Sequence, residues 1–262
     1  MKIIILSLGL DKGTYRQDLE LQEQLLSKAF HPEVEVYWAV GGAESSDIKN
    51  NRINLPIEDI PQNILEKTVL AINILDDKLS PDFIIRTNTS SYFNFKKTVK
   101  LCHKLKKNKY DFAGYWESYA VGYSHKKNSL RFVNGSGIYI SKKGIKVLKN
   151  LNPRKYKGVP DDVAITQELL SNNLKSTKVK RNNICYHHIF IPRAHIRLKD
   201  WGNHVLMHER MRLIDQFFSN TNLFTKSLLF VKIYLHEMSS INFSLRKVYM
   251  FFKNVLFRKF KA

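Results

Sequence analysis

The feature that most constrains this chain is an alternation of short, continuous apolar runs with segments of helical period. Ile3–Leu8 is apolar almost throughout, with no in-and-out alternation, so it reads as a strand buried on both faces. Apolar residues then recur at helical spacing over Leu19–Phe30. Val34–Val40 (VEVYWAV) reads as a second strand, ended by Gly41-Gly42. Ile64–Leu75 reads as a helix, Asp82–Arg86 as a buried strand, Lys96–Lys107 as a basic helix and Tyr110–Tyr115 as a further strand. This order predicts an α/β, Rossmann-like fold with a mostly parallel mixed sheet covered by helices on both faces. In such sheets ligands sit beyond the carboxyl ends of the strands.

The second half predicts a strand over Leu130–Ser141, broken by glycines, and a helix over Lys142–Asn150. A loop with Pro153, Gly158 and Pro160 then delivers Asp161-Asp162 to a helix over Val163–Asn172. Ile184–Ile191 reads as a strand holding His187-His188. With no repeat and no low-complexity linker, residues 1–205 read as one domain and residues 206–262 as a helical, basic extension.

Composition matters through charge. Lys+Arg 43 against Asp+Glu 23 gives +20, a field that favours anionic partners: nucleic acid, a phospholipid surface, or nucleotide and phosphate substrates. From Thr221 onward eight Lys/Arg face the single acid Glu237, interleaved with aromatic and aliphatic residues. That pattern predicts a helix lying on an anionic membrane surface, with helices packed on the domain as the alternative. The apolar N-terminus is too short to span a bilayer. The expectation is a cytoplasmic, peripherally membrane-associated protein whose two cysteines, Cys102 and Cys185, are reduced core thiols.

Four segments could carry chemistry. Strand Asp82–Arg86 runs into Thr87-Asn88-Thr89, placing small polar groups and the cation Arg86 at the carboxyl edge; a solvated, capped turn is equally consistent. Gly135-Ser136-Gly137 inside a strand would permit close approach of a ligand, or form a bulge. Asp161-Asp162 could cap a helix or supply a general base. His187-His188 point to opposite faces of their strand, so at most one enters a given site. Ser7, together with Tyr15 and Arg16 in the loop after the first strand, is a candidate for contact with a nucleotide. Trp116 is a candidate sugar platform or a core tryptophan.

The order of these segments resembles that in GT-A glycosyltransferases of the β-1,3-galactosyltransferase and Fringe type. Asn63, Ile64, Lys67 and Thr68 match that family's "NLxxKT" helix, Phe83–Asn94 its "fvlKtDDDvfvn" strand, VNGSGIYIS its "sGsgyvlS" segment and VPDDV its "PDD" or "EDV" motif, over about residues 1–195. The resemblance implies a GT-A-like domain that transfers a sugar from a nucleotide-sugar donor, most simply a UDP-sugar, to a hydroxyl of a glycan or lipid-linked glycan. It implies inversion in one displacement, with Asp162 as base and Asp161 beside it, and an acceptor near Trp116, Gly135, Ser136 and Gly137. It belongs to the chemistry of surface polysaccharide or lipopolysaccharide assembly.

One departure stands out. The family's DxD binds a divalent metal, Mn or Mg, and Thr87-Asn88-Thr89 holds its place without a carboxylate. Three explanations remain open. Arg86, Lys67 or Arg16 neutralises the diphosphate without a metal; Asn88 and His188 hold a weak metal site; or only sugar binding survives. A basic nucleic-acid-binding protein is the rival from another class, although no helix-turn-helix, RNP or zinc pattern occurs, and no nucleic-acid partner is expected.

Overall fold

The computed structural model describes residues 1–120, 129–179, 182–183 and 195–197, with positions 208, 212, 213, 215, 216, 222, 225, 228 and 229. In chain order its elements are β1 (Ile3–Leu8), α1 (Gly13–Leu26), β2 (Val34–Val40), β3 (Asp47–Lys49), β4 (Arg52–Asn54), α2 (Ile64–Leu79), β5 (Phe83–Asn88), β6 (Ser91–Phe93) and α3 (Phe95–Lys107). There follow β7 (Phe112–Ala120), β8 (Ser129–Ser141), α4 (Lys142–Lys149), α5 (Asp161–Ser171), β9 (Ser176–Lys178), β10 (Asn182–Asn183) and β11 (His195–Arg197).

Eight strands form one sheet in the order β3-β4-β2-β1-β5-β8-β7-β9. β1 pairs in parallel with β2 and β5, β4 continues the parallel set beside β2, and β9 is parallel to β7. β8 runs antiparallel between β5 and β7, and β3 is antiparallel to β4 at the edge. β6 pairs with β11, which pairs with β10, in a small second sheet.

All six residues of β1 are buried, as a strand covered on both faces requires. Its side chains alternate between two cores. Ile3 and Ile5 pack with Leu19, Leu26, Val99 and Leu105 under α1 and α3, while Ile4 and Leu6 pack with Leu65, Ile72, Ile145 and Ile165 under α2, α4 and α5. The apolar stripes of five helices thus decide which helix covers which face. Cys102 belongs to the first core and is buried, which pushes its thiol pKa up; Cys185 lies outside the described residues.

The chain departs from expectation in two places. The first helix begins at Gly13 and stops at Leu26, not Phe30: Phe30 is 88% exposed, and His31-Pro32 cannot extend a helix. Tyr15 and Arg16 therefore stand in the first helical turn, not in a loop. The short strands β3 and β4 carry too few residues to show a period, and the sequence did not suggest them. The strand expected over Ile184–Ile191 lies outside the described residues, as does nearly all of the chain after Thr221.

Described residues beyond 205 touch the domain. His208 Nε2 lies 2.6 Å from Asp18 Oδ1, the Tyr92 hydroxyl donates to Asp215 at 3.0 Å, and Leu213 packs on the α1–α3 core. No helix among the described residues is long and apolar enough to cross a membrane.

Candidate functional site

Three segments distant in sequence meet at the carboxyl edge of the sheet. Arg86 is the fourth residue of β5, and its side chain passes under β8. Its guanidinium donates to Gly135 O at 2.5 Å and to the Asp161 carboxylate at the start of α5. Only 1% of Arg86 is exposed. Asp162 turns back to β8, where Oδ2 accepts the Gly135 N–H at 2.9 Å and Oδ1 accepts its neighbour's N–H, that of Val163, at 2.9 Å.

This geometry explains the glycine. A Cβ on Gly135 would lie 2.3 Å from Arg86 Nη1 and 3.3 Å from Asp162 Oδ2, so a side chain there would collide with both. Gly135 is required for the packing of Arg86, and position 135 forms no loop for a ligand. Ser136 is buried too: its carbonyl accepts the Thr87 hydroxyl at 2.7 Å and the Ser91 hydroxyl at 2.9 Å. Gly137 sits beside Gly114 of β7, where a Cβ on Gly114 would meet the Gly137 carbonyl at 2.7 Å.

Asp162 is a perturbed acid. Burial pushes its carboxyl pKa up and the charge of Asp161 adds to this, while Arg86 and the two N–H groups work against it; the balance is upward. A carboxylate held above its usual range is a better proton acceptor near neutrality. Beside the pair opens a cavity of about 950 Å3 between the N-terminal end of α2 and the loop before α5, with Asn63, Glu66, Arg154, Tyr156, Lys157 and Asp161 in its lining.

Two of the cations expected to meet a diphosphate are instead used inside the protein. Arg86 serves Asp161. Lys67, fully buried, donates to Gly9 O at 2.8 Å and to the Asp59 carboxylate. Asp59 also accepts the N–H groups of Asp11 at 2.7 Å and Gly41 at 3.1 Å, so one ion pair fastens the loops after β1 and β2 to α2. Burial alone would raise the Asp59 pKa, but Lys67 and these N–H groups outweigh it and hold the carboxyl below its ordinary range. Burial depresses Lys67 more than Asp59 raises it. Arg16 remains on the surface, 2.9 Å from Glu20 and 3.4 Å from Asp11, and Tyr15 is 49% exposed nearby.

Ser7 is likewise an internal group. Its hydroxyl donates to Gln22 Oε1 at 2.6 Å, as Trp38 Nε1 does at 3.1 Å, and Gln22 Nε2 donates to the carbonyls of Asn88 and Ser91 at 3.2 and 2.7 Å. Gln22 thereby sets the turn after β5, a role the sequence did not reveal because a glutamine in a helix reads as surface. At that turn the Asn88 amide and the Thr89 and Ser90 hydroxyls have no partner among the described residues, and Thr89 and Ser90 are buried. Trp116 is not an open platform: Nε1 donates to Thr177 O at 3.2 Å, Phe112 packs at 6.1 Å and Arg131 lies over the ring at 5.5 Å.

The donor set does not fit a hard divalent cation. Thr87, Asn88 and Thr89 bring no carboxylate, the nearest acids are matched to Arg86 and backbone N–H groups, and a buried guanidinium stands between. Among the described residues no group of three His, Cys, Asp or Glu side chains could hold a metal; His188 lies outside them.

No protein-family model and no curated protein matches the chain. Among solved structures, the chain is similar to a glycosyltransferase involved in the glycosylation of the major capsid of PBCV-1, with a TM-score of 0.51 and 15% identity over 81% of this chain and 100% of that one. It is also similar to S. aureus TarS, with a TM-score of 0.47 and 12% identity over 94% of this chain and 46% of that one. For TarS 1-349 in complex with UDP-GlcNAc the values are 0.46 and 12%, over 97% and 79%. The chain has a GT-A-like glycosyltransferase fold: one mixed, mostly parallel eight-stranded sheet flanked by helices.

Proposed function

We propose that this chain is a glycosyltransferase that moves a sugar from a nucleotide-sugar donor, of the UDP-sugar class, to a hydroxyl of a glycan or lipid-linked glycan. One observation carries this reading above the rest. Asp161 and Asp162, at the N-terminus of α5, are brought onto Arg86 of β5 at the carboxyl edge of the sheet, with Asp162 half-buried and its pKa raised. The fold shared with the capsid glycosyltransferase supports it.

In this reading Asp162 accepts the proton of the acceptor hydroxyl as that oxygen attacks the anomeric carbon in a single inverting displacement. Arg86 holds the Asp161 carboxylate in place beside Asp162, so the pair enters the site in a fixed arrangement. The acceptor occupies the cavity beside Asp161, and the donor lies across the Asn88–Ser90 turn, whose amide and hydroxyls hydrogen-bond it. Arg16 stands at the rim of the same edge as the accessible cation for the diphosphate.

The test is release of free nucleotide from UDP-, GDP-, CMP- and dTDP-sugars with a panel of glycan acceptors, with and without EDTA. Turnover with a UDP-sugar is expected, insensitive to EDTA, and lost by about 100-fold or more in Asp162→Asn. Donor binding with no turnover, and with Asp162→Asn indistinguishable from the parent, would instead identify a sugar-binding subunit, the reading favoured by the missing carboxylates at 87–89.

A further inference from the structure

We propose that the exposed face of α3 is an electrostatic docking surface for an anionic phospholipid bilayer. The helix carries six lysines and no acid. Its buried side, formed by Phe95, Thr98, Val99, Cys102 and Leu105, packs on the α1–α3 core. At about 100° per residue, Lys96, Lys97, Lys100, Lys104 and Lys107 fall within roughly a third of the helix circumference. They form one stripe about 17 Å long at about 1.5 Å per residue. The flanking Lys106 is paired with Asp82 at 2.9 Å, and His103 with Glu33 at 3.0 Å. The five stripe lysines make no ion pair with a described acid.

Contrast with the other layer sharpens the point. There Lys149 is paired with Asp76 and Asp77, and Lys155 with Glu168. On α3 like charges recur at i, i+4 and i, i+3, an arrangement that repels itself in the free protein and is relieved against an anionic surface. The stripe is all lysine. Ammonium groups on flexible stems suit a diffuse layer of headgroups, whereas groove and backbone recognition of nucleic acid favours the arginine fork.

Two residues from beyond position 205 meet the same layer. His208 meets Asp18 of α1 and Asp215 meets Tyr92, three residues before α3. The docking surface itself does not depend on the catalytic reading.

The test is co-sedimentation of the full chain with phosphatidylcholine vesicles, with and without phosphatidylserine, at low and high salt. One variant combines Lys96→Gln, Lys100→Gln and Lys107→Gln; the control combines Lys142→Gln, Lys143→Gln and Lys146→Gln on α4. Each lysine near an anionic surface is worth about five-fold in affinity, so the α3 variant should bind phosphatidylserine vesicles about 100-fold more weakly while the control binds nearly as the parent does. Nucleotide release from donor without vesicles should be unchanged in both, which separates failure of docking from failure of the catalytic reading. Equal weakening in the two variants, binding to neutral vesicles that salt does not affect, or duplex DNA displacing the protein from vesicles at lower concentration than soluble phosphatidylserine would overturn the proposal.

Discussion

Arg86 and Asp161, 75 residues apart in sequence, are joined by an ion pair closed to solvent at the arginine end. The guanidinium is also the roof over which Gly135 crosses, so one cation holds β5, β8 and α5 together. Replacing Arg86 with methionine keeps much of the volume and removes the charge, leaving two adjacent carboxylates with no cation. Because Asp161 is partly accessible, the loss should fall near the lower end for a broken buried pair, about 3 kcal/mol. Urea unfolding measures it, and an unshifted midpoint would show that the pair contributes nothing.

Gly135 tests the same packing from the other side. A methyl group there must displace the Arg86 guanidinium, a planar group already pinned by Asp161 and by the residue's own carbonyl. Gly135→Ala is expected to destabilise the protein by about 1–3 kcal/mol, the usual cost of overpacking. It should also lower the rate of nucleotide release by weakening the N–H that positions Asp162. Thermal unfolding and turnover should fall together; a variant with normal stability and normal turnover contradicts the geometry.

The raised pKa of Asp162 has a kinetic signature. A base works only when ionised, so kcat/KM should decline on the acid side with a limb above the ordinary aspartate value of about 3.9. Burial is the larger cause and the Asp161 charge the next, so Asp161→Asn removes an upward push while Arg86 still pulls down. The limb should therefore move to lower pH in Asp161→Asn. A pH–rate series on both proteins checks the sign, and a limb that moves upward would assign the titration to another group.

The sheet was legible because its central strands are uninterrupted apolar runs. Ile3–Leu8 and Val34–Val40 are strands in the structure at the limits read from the sequence, and Phe83–Asn88 extends only past Arg86. The site was legible in which residues matter and not in what they touch. The sequence marks Arg86, Lys67 and Ser7 as candidates for contact with a nucleotide, whereas the structure gives each an internal partner, as polar side chains in buried elements need. Their partners, Asp161, Asp59 and Gln22, lie 75, 8 and 15 residues away. Only the eight-residue separation of Asp59 and Lys67 falls within local pattern, and even there the pairing depends on the turn before α2. A positive residue at a sheet edge attracts an anion whether that anion is a ligand or an aspartate, and sequence alone does not separate the two.

The Lys67–Asp59 pair yields a prediction with a definite pH dependence. Lys67→Met strands Asp59 as a buried carboxylate under the loops after β1 and β2, and should cost about 3–5 kcal/mol at neutral pH. Asp59→Asn in the same protein removes the stranded charge, and its single side-chain oxygen can still accept one of the two N–H groups, that of Asp11 or that of Gly41. The double variant should therefore recover much of the loss, a coupling that a double-mutant cycle reads directly. In the parent, the folded pKa of Asp59 lies below its unfolded value, so the stability it contributes is present above about pH 3.9 and is lost as pH falls through the lower, folded value. The gap between parent and Lys67→Met should consequently narrow on acidification below that point. A gap that widens there, or a double variant no more stable than Lys67→Met, would show that Lys67 acts through packing and not through Asp59.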